Sequence, residues 1–465
     1  MLRCSNRLAN IRGPPQPDGR RPVGELMVRS EGDYMYSSFY SPTGRAAWMY
    51  SAYEMAHASV QPFRAWASSV DRSMRDPRSP ISGLPGAPFF RAGWRVFDEL
   101  TRRYGKPEFG IESIETDGIN HHVEVEIVKR RTFCNLLRFT KTPQAATAQP
   151  KAQPKAQPKV LLIAPMSGHF ATLLRATVKA MLPTNDVYIT DWADARAVPL
   201  LQGQFDLHDY IEYLQSFFKE LGPDLHVIAV CQPSVPALAA TALLAQEDSP
   251  YQPKSLTLMA GPVDVANNPT QVNDYAQAHN IAWFKRNVIT YVPAPHPGAF
   301  RPVYPGFFQL AGFMGMNMDA HVQAYANYFE NLAVGADESA DEHRRFYDEY
   351  LAVMDLTSEY FLQTVETVFQ RRELATGTLV HRGRKVDCGA IRKTVLMTVE
   401  GERDDICGIG QTEAAHALCY SLSDGQRHHH LQEGVGHYGV FSGRRWRQQI
   451  QPRIQKMIDE LEGRD

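Results

Sequence analysis

From Val160 onward, short runs of apolar residues alternate with longer segments of helical periodicity. The apolar runs have the length of strands that are buried on both faces, at Val160–Ala164, Val187–Thr190, Leu225–Val230, Leu256–Ala260 and Thr394–Val399. Helices are predicted between most of them, at Phe170–Leu182, Leu207–Leu221, Pro233–Gln246 and Gln411–Leu422. Buried strands that alternate with helices predict an α/β fold with a mostly parallel central sheet.

The preceding part of the chain has a different pattern. Ile111–Asp117, Val123–Lys129 and Phe133–Thr140 alternate or run apolar over strand lengths, which predicts an antiparallel meander. Met49–Trp66 carries apolar residues at helical spacing and predicts a helix that lies on the core or on another apolar surface. A second helix is predicted near Phe90–Tyr104.

These patterns predict one catalytic domain, residues 49–465, with two insertions. Residues 1–48 are predicted to be a disordered extension. Residues 141–159 contain an Ala-Gln-Pro-Lys repeat and are predicted to be a Pro-rich surface loop. In residues 262–374 the strand–helix alternation lapses and aromatic residues are frequent, so this insertion is predicted to be a cap over the carboxyl edge of the sheet.

Charge and cysteine content narrow the class of protein. The chain has 49 Lys+Arg and 51 Asp+Glu, so nothing supports a nucleic-acid-binding stripe. Its 6 cysteines include no C-x-x-C pair, which argues against a disulfide scaffold and fits a reducing compartment. The segment most similar to a membrane span, His226–Ala245, is interrupted by Pro233 and is interpreted as strand, turn and helix. We therefore expect a cytoplasmic protein.

The segment His226–Pro236 has the features of a nucleophile elbow, the sharp strand-to-helix turn that exposes a catalytic residue. Ala229 is the small residue two positions before Cys231, and Pro233 suits the first turn of the following helix. Cys231 would then lie at a helix N-terminus, where a thiolate is stabilised. The usual Gly-x-Ser-x-Gly pattern is replaced at three positions, and a buried structural cysteine is the alternative that this segment leaves open.

An acid and a histidine follow this cysteine in the chain order of an α/β-hydrolase triad. Asp404 comes after the predicted strand Thr394–Val399, and His437 lies in a glycine-flanked loop before the final helix. Together with Cys231 they predict a Cys-His-Asp triad in an α/β-hydrolase fold. The histidine would take the thiol proton, the thiolate would attack an ester carbonyl, and the aspartate would orient the imidazole.

The oxyanion of that reaction needs two backbone donors. The first is predicted to be the N–H of Gln232, directly after the nucleophile, and the second the N–H of Met166 or Ser167. His169 is a candidate for the substrate pocket, with a structural role as the alternative. As the acid, Asp264 ranks second and Asp405 third. The histidine tract at 428–430 lacks partner ligands in the sequence, so no metal site is predicted.

With these residues in place, the chain resembles intracellular poly(3-hydroxybutyrate) depolymerases of the short-chain-length type, from about Met49 to the final helix. The resemblance is carried by Val230–Pro233, Ala164–His169, Tyr188–Arg196, Val303–Phe307, Thr398–Glu402 with Asp404 and Asp405, and Gly436–Trp446. It implies a hydrolase with the triad Cys231, Asp404 and His437. Its implied substrate is the amorphous polymer granule in the cytoplasm, and its implied products are 3-hydroxybutyrate and oligomers.

Two other functions stay open. A polyhydroxyalkanoate synthase resembles this fold and uses the same triad, but its elbow is Gly-x-Cys-x-Gly, whereas Ala229 and Pro233 stand here. A non-catalytic granule-binding protein is the alternative from another class. No cofactor is predicted, although an acyl group on a cysteine is close in energy to acyl-coenzyme A, which makes coenzyme A an alternative acceptor. The oligomeric state cannot be predicted.

Overall fold

A computed structural model describes residues 46–82, 84–116, 118–143 and 157–464. The predicted extension 1–48 lies outside these residues except for its last three positions, which begin a helix. Most of the predicted Pro-rich loop 141–159 lies outside them as well.

All eight strands that the sequence predicts are present among the described residues, together with further strands and helices. The strands are β1 (Ser113–Thr116), β2 (Ile119–Arg130), β3 (Cys134–Pro143), β4 (Lys159–Ile163), β5 (Asp186–Trp192), β6 (Leu225–Val230), β7 (Ser255–Met259), β8 (Thr290–Tyr291), β9 (Pro302–Tyr304), β10 (Leu356–Thr357), β11 (Val380–His381), β12 (Arg384–Lys385), β13 (Val395–Gly401) and β14 (Arg427–Gln432). The helices are α1 (Ala46–Arg75), α2 (Ala87–Thr101), α3 (Arg175–Met181), α4 (Leu207–Leu221), α5 (Ser234–Gln246), α6 (Gln271–Ala278), α7 (Ile281–Asn287), α8 (Gly306–Met316), α9 (Met318–Val334), α10 (Asp337–Tyr350), α11 (Ser358–Thr364), α12 (Ala415–Leu418), α13 (Gly443–Arg445) and α14 (Gln451–Leu461).

The central sheet has nine strands in the order β1-β2-β3-β5-β4-β6-β7-β13-β14. Every neighbouring pair from β5 to β14 is parallel, whereas β1, β2 and β3 form an antiparallel meander and β3 pairs antiparallel with β5. The predicted mostly parallel sheet and its antiparallel meander are therefore confirmed. This sheet, with helices packed on it, is an α/β-hydrolase architecture.

The core explains why the parallel strands are apolar throughout. All six residues of β6 are buried, and so is every residue of α5 from Ser234 to Leu244. A helix that is apolar all round belongs inside a protein, and α5 packs beside α4 in the main core. The segment from His226 to Ala245 is thus strand, turn and helix, as predicted. None of the described helices is long and apolar enough to cross a membrane.

Between β7 and β13 the chain leaves the sheet and forms α6–α11 together with a small sheet in the order β10-β9-β8. The N–H of Met354 donates to the carbonyl oxygen of Gly168 at 2.7 Å, and His169 bridges Val353. These contacts join the inserted segment to the loop after β4, which lies at the carboxyl edge of the sheet.

The predicted helix Gln411–Leu422 is wrong over most of its length, because only α12 forms within it. The buried carboxylate of Glu400 accepts hydrogen bonds from the N–H groups of Thr412 and Glu413, and the Arg427 guanidinium binds the carbonyl oxygens of Tyr420 and Leu422. These contacts stabilise turns on both sides of α12, and periodicity within the segment carries no information about them.

Candidate active site

The turn between β6 and α5 places Cys231 at the head of a buried helix. Its φ of 67° lies in the left-handed region that residues other than glycine rarely adopt. The Cys231 N–H donates to the carbonyl oxygen of Met259 at 2.6 Å, which ties the turn to the end of β7. The side chain is half-buried. A strained strand-to-helix turn of this kind is the geometry of a nucleophile elbow.

Gly261 allows the segment after β7 to approach this elbow closely. A Cβ atom at this position would lie 1.9 Å from Oγ of Ser234 and 2.8 Å from the carbonyl oxygen of Cys231. The Gly261 N–H donates to Oγ1 of Thr412 at 2.8 Å, which fixes the close approach. The sequence analysis missed this residue, since its only signal is a glycine after a buried strand.

Asp404 and His437 lie in the loops after β13 and β14, and their side chains meet. Nδ1 of His437 donates to Oδ2 of Asp404 at 2.8 Å. Oδ1 of Asp404 accepts from the N–H groups of Ile406 and Cys407 at 2.9 and 2.8 Å. The Asp404 side chain is fully buried and that of His437 is 6% exposed. Because Nδ1 is held by the carboxylate, Nε2 is left to exchange a proton with a nucleophile.

The electrostatics of His437 couple it to the elbow. Burial alone would lower the pKa of His437, but the charge of Asp404, the charge of Cys231 and hydrogen bonds to both side chains raise that pKa well above its usual value. The imidazole therefore interacts electrostatically with both the Asp404 carboxylate and the Cys231 side chain.

The two alternative acids have other partners. Asp264 forms an ion pair with Arg372, with Oδ1 and Nη1 2.9 Å apart. Asp405 accepts a hydrogen bond from the side-chain amide of Asn317 at 3.3 Å. Within the described ranges, the carboxylate that contacts the imidazole is that of Asp404.

The candidate oxyanion donors lie in the elbow turn, at Gln232, and in the loop after β4, at Met166 and Ser167. In the part of the chain that the structure describes, no carbonyl accepts a hydrogen bond from the N–H of Gln232 or of Met166. The strand end at Ala164 is held on both sides, because its N–H donates to a threonine hydroxyl and its carbonyl oxygen accepts from a tryptophan indole, each at 2.9 Å. The side-chain amide of Gln232 donates to the hydroxyl of Tyr360. The choice between Met166 and Ser167 stays a prediction.

His169 is buried and contacts the cap. Its Nε2 lies 3.1 Å from the carbonyl oxygen of Tyr350, and its ring centroid lies 5.7 Å from that of Phe313. Burial lowers the pKa of His169 to about 4, so the imidazole is neutral at physiological pH. His169 thus contacts Phe313 and Tyr350, which line the pocket described below, but His169 does not line that pocket itself.

A pocket of about 290 Å³ opens beside the triad imidazole. Phe313, Asn317 and Tyr350 of the inserted segment form one wall, and the loop residues Ile406 and Tyr438 form another. The sequence pattern did not single out these wall residues, because they come together only when the insertion folds over the sheet. Aromatic and aliphatic side chains form much of the lining, together with Asn317 and the carboxylate of Asp405. A pocket with partly apolar walls can accommodate an uncharged acyl group.

A larger cleft, of about 520 Å³, lies away from the triad. Its lining includes Arg384, Arg392 and Tyr420, and it contains none of the triad residues. The pocket beside the imidazole is the smaller of the two, but it is the one that adjoins groups able to carry out a reaction.

One grouping in the described ranges has the composition of a metal site, which the sequence did not predict. Atoms of Glu400, Glu413 and His429 lie within 4.8 Å of one another. The Glu400 oxygens already accept three backbone N–H groups, among them those of Gly410 and Thr412 at 2.8 and 2.7 Å. The carboxylate therefore acts as a hydrogen-bond acceptor for the loop after β13, and we assign no metal here.

Comparison with known proteins agrees with this geometry. Residues 260–462 match the family described as "PHB de-polymerase C-terminus". No curated protein matches the chain. The resemblance stated from the sequence is thus confirmed over the C-terminal region, which includes Asp404 and His437.

Similar solved structures are a putative lipase (lip1) from Acinetobacter baumannii AYE, carboxylesterase CesB (YbfK) from Bacillus subtilis and a monoacylglycerol lipase from Paleococcus ferrophilus. Their sequence identities are 13%, 12% and 11%, and their TM-scores 0.37, 0.38 and 0.37. The alignments cover 74%, 81% and 66% of this chain and 92%, 99% and 96% of those chains. At such low scores these likenesses carry no weight, and the fold rests on the strand order described above.

Proposed function

We propose that the protein is a carboxylic ester hydrolase that cleaves the ester bonds of amorphous poly(3-hydroxybutyrate) granules. The match of residues 260–462 to the family described as "PHB de-polymerase C-terminus" supports this proposal. The observation that carries this proposal is the position of the His437 imidazole, which donates from Nδ1 to Asp404 and whose pKa is raised by Asp404 and by Cys231. Cys231 occupies the strained turn at the head of α5, and a pocket of about 290 Å³ is lined by His437. We assign the nucleophile to the thiol of Cys231.

In the proposed reaction the Cys231 thiolate attacks an ester carbonyl of the polymer, and the charge on the carbonyl oxygen is stabilised by the N–H groups of Gln232 and of Met166 or Ser167. The C–O bond breaks as His437 gives its proton to the departing hydroxyl end. This leaves an acyl group in thioester linkage to the sulfur. Water then attacks the thioester while the imidazole accepts its proton, releasing a carboxylic acid and regenerating the thiol.

The thioester makes a second acceptor chemically reasonable. Attack by the thiol of coenzyme A would exchange one thioester for another, a step with little change in free energy, and would release 3-hydroxybutyryl-coenzyme A. The two outcomes share the nucleophile and the first half of the reaction. They differ only in the group that reaches the acyl enzyme.

The test is to incubate the purified protein with amorphous granules, with and without coenzyme A, and to identify the soluble products. The variants are Cys231→Ala and, as a matched control, Cys407→Ala. The control removes a buried thiol but keeps the backbone N–H of residue 407, which is the group that donates to Asp404. We expect 3-hydroxybutyrate or its oligomers from the wild type and from Cys407→Ala, and none from Cys231→Ala.

Other results would lead to other functions. If product forms only when coenzyme A is present, the reaction is thiolysis rather than hydrolysis. Polymer formed from 3-hydroxybutyryl-coenzyme A would identify a synthase. Granule binding without any product from either substrate would identify a non-catalytic granule protein and overturn the proposal.

A further inference from the structure

The acidic and basic residues of α1 between Trp48 and Asp71 are buried or half-buried and pair with other parts of the chain. Glu54 forms an ion pair with Arg103, and Arg64 pairs with Asp98 of α2 at 2.6 Å. Further along the helix, Asp71 is buried and pairs with an arginine of α2 at 3.4 Å. A helix on the surface of a soluble protein normally places such residues toward water.

The opposite face of α1 carries large apolar side chains that stay at least half exposed in the described chain, although the Phe63 ring also contacts Phe97 of α2 edge-on. Trp48, Met55, Phe63 and Trp66 are each between 50% and 65% exposed. At 100° per residue, Trp48, Met55 and Trp66 point within about 20° of one another, and Phe63 lies about 60° away. We name these four residues the outer stripe. It is about 27 Å long at 1.5 Å per residue.

The outer stripe is free of charge as well as apolar. No exposed position between Trp48 and Ser69 carries an acidic or basic residue. Single exposed apolar side chains are ordinary, but an aligned set marks a surface that binds something apolar. Helices that bind anionic lipid have lysine and arginine on their polar face, whereas the arginine of α1 nearest the stripe, Arg64, is already paired with Asp98.

Helix α1 is also joined to the wall of the candidate active site. The Tyr50 hydroxyl donates to Oδ2 of Asp355 at 2.6 Å, and the Tyr53 ring stacks on Phe307 with centroids 4.3 Å apart. Phe307 belongs to α8, the helix that contributes Phe313 to the pocket. The inner face of α1 is therefore packed against the same cap that forms the pocket.

We propose that the outer stripe adsorbs the protein to the surface of an amorphous polyester. Such a surface is apolar and uncharged, so it matches a stripe that has large apolar side chains and no charge. Attachment through α1 would hold the cap and its pocket at the polymer, where chain segments are concentrated. This inference rests on the proposed function, because the substrate named there identifies the partner.

The test compares two variants of the full chain in a sedimentation assay with amorphous poly(3-hydroxybutyrate) granules. Met55→Glu/Trp66→Glu places two carboxylates in the outer stripe. Gln61→Glu, at an exposed position on the same helix, points about 120–140° away from these residues and controls for added charge. We expect the adsorption constant to fall at least about tenfold for the double variant, from the loss of apolar contact area, and to stay unchanged for Gln61→Glu.

Hydrolysis of a soluble 3-hydroxybutyrate oligomer separates this inference from the proposed function. If the inference holds, the double variant keeps wild-type kcat on the oligomer and loses rate on granules. Equal adsorption of both variants would overturn it. So would wild-type binding to phosphatidylglycerol vesicles but not to polyester, or a change from dimer to monomer in the double variant. If the wild type hydrolyses no ester at all, the proposed function is overturned. The adsorption of the wild type and of both variants can still be measured in that case, so the two hypotheses are tested separately.

Discussion

Replacing Asp404 by asparagine should remove most of the activity and leave the fold intact. Asparagine can keep the hydrogen bonds from Ile406 and Cys407 with its carbonyl oxygen, but its amide then faces Nδ1 of His437 at a distance now 2.8 Å. An amide donates at that position, so Nδ1 must accept and Nε2 must carry the proton. In that tautomer the imidazole cannot take a proton from the thiol. A wrong tautomer costs about 10⁴-fold in kcat, equivalent to about 5.4 kcal/mol.

The assay is steady-state hydrolysis of a soluble 3-hydroxybutyrate ester, with thermal unfolding measured on the same samples. The matched control is Asp405→Asn, which changes the neighbouring carboxylate that contacts Asn317. We expect Asp405→Asn to keep kcat within about threefold, since it does not contact the imidazole. A kcat for Asp404→Asn above about a tenth of the wild-type value, or equal losses in both variants, would refute the assignment of the acid.

Two further predictions concern the state of the imidazole and the packing of the elbow. The pKa of His437 is raised in the folded protein, so its favourable charge interactions stabilise the fold fully at low pH and are lost as pH rises through that raised pKa. In Asp404→Asn the NMR titration of this imidazole should therefore move to lower pH. A titration that does not move would contradict Asp404 as the cause of the raised pKa. Gly261→Ala should destabilise the protein by about 1–3 kcal/mol and lower kcat, because the added Cβ would lie 1.9 Å from Oγ of Ser234. The matched control for differential scanning calorimetry is Gly312→Ala in α8, where an added Cβ would have no atom within 4 Å. An equal fall in Tm for both variants would contradict the packing argument.

The central sheet could be predicted because its strands are buried on both faces. Such strands are continuous apolar runs, and β6 and α4 begin and end where the pattern places them, at Leu225–Val230 and Leu207–Leu221. The prediction failed at Gln411–Leu422, where the turns depend on the side chain of Glu400, supplied by a strand earlier in the chain. The hydrophobic periodicity of a segment cannot indicate hydrogen bonds to a side chain outside that segment.

The site divides in the same way. The elbow at Cys231 and the order of the acid and the histidine are local patterns joined by a rule of the fold, so sequence alone brings them together. The contribution of Gly261 and the wall formed by Phe313 and Asn317 depend on contacts between distant segments. For Met49–Trp66 the apolar residues are spread over both faces of the helix, so periodicity identified the helix but not the face that packs inward.

On an insoluble polymer, the outer stripe of α1 and the triad would have separate roles: the stripe would bind the surface and the triad would cleave the ester bonds. Under the proposed function the triad would act on one ester bond at a time. Its rate on a soluble ester would depend on Cys231, His437 and Asp404 but not on how the protein reaches a surface. On a granule, the concentration of ester bonds at the pocket depends on adsorption, which raises the effective concentration of substrate without changing the chemical step. The outer stripe of α1 is joined to the pocket through α8 rather than to the triad itself. Changes in the stripe should therefore alter the ratio of granule to soluble rates, whereas changes in the triad should lower both rates in proportion.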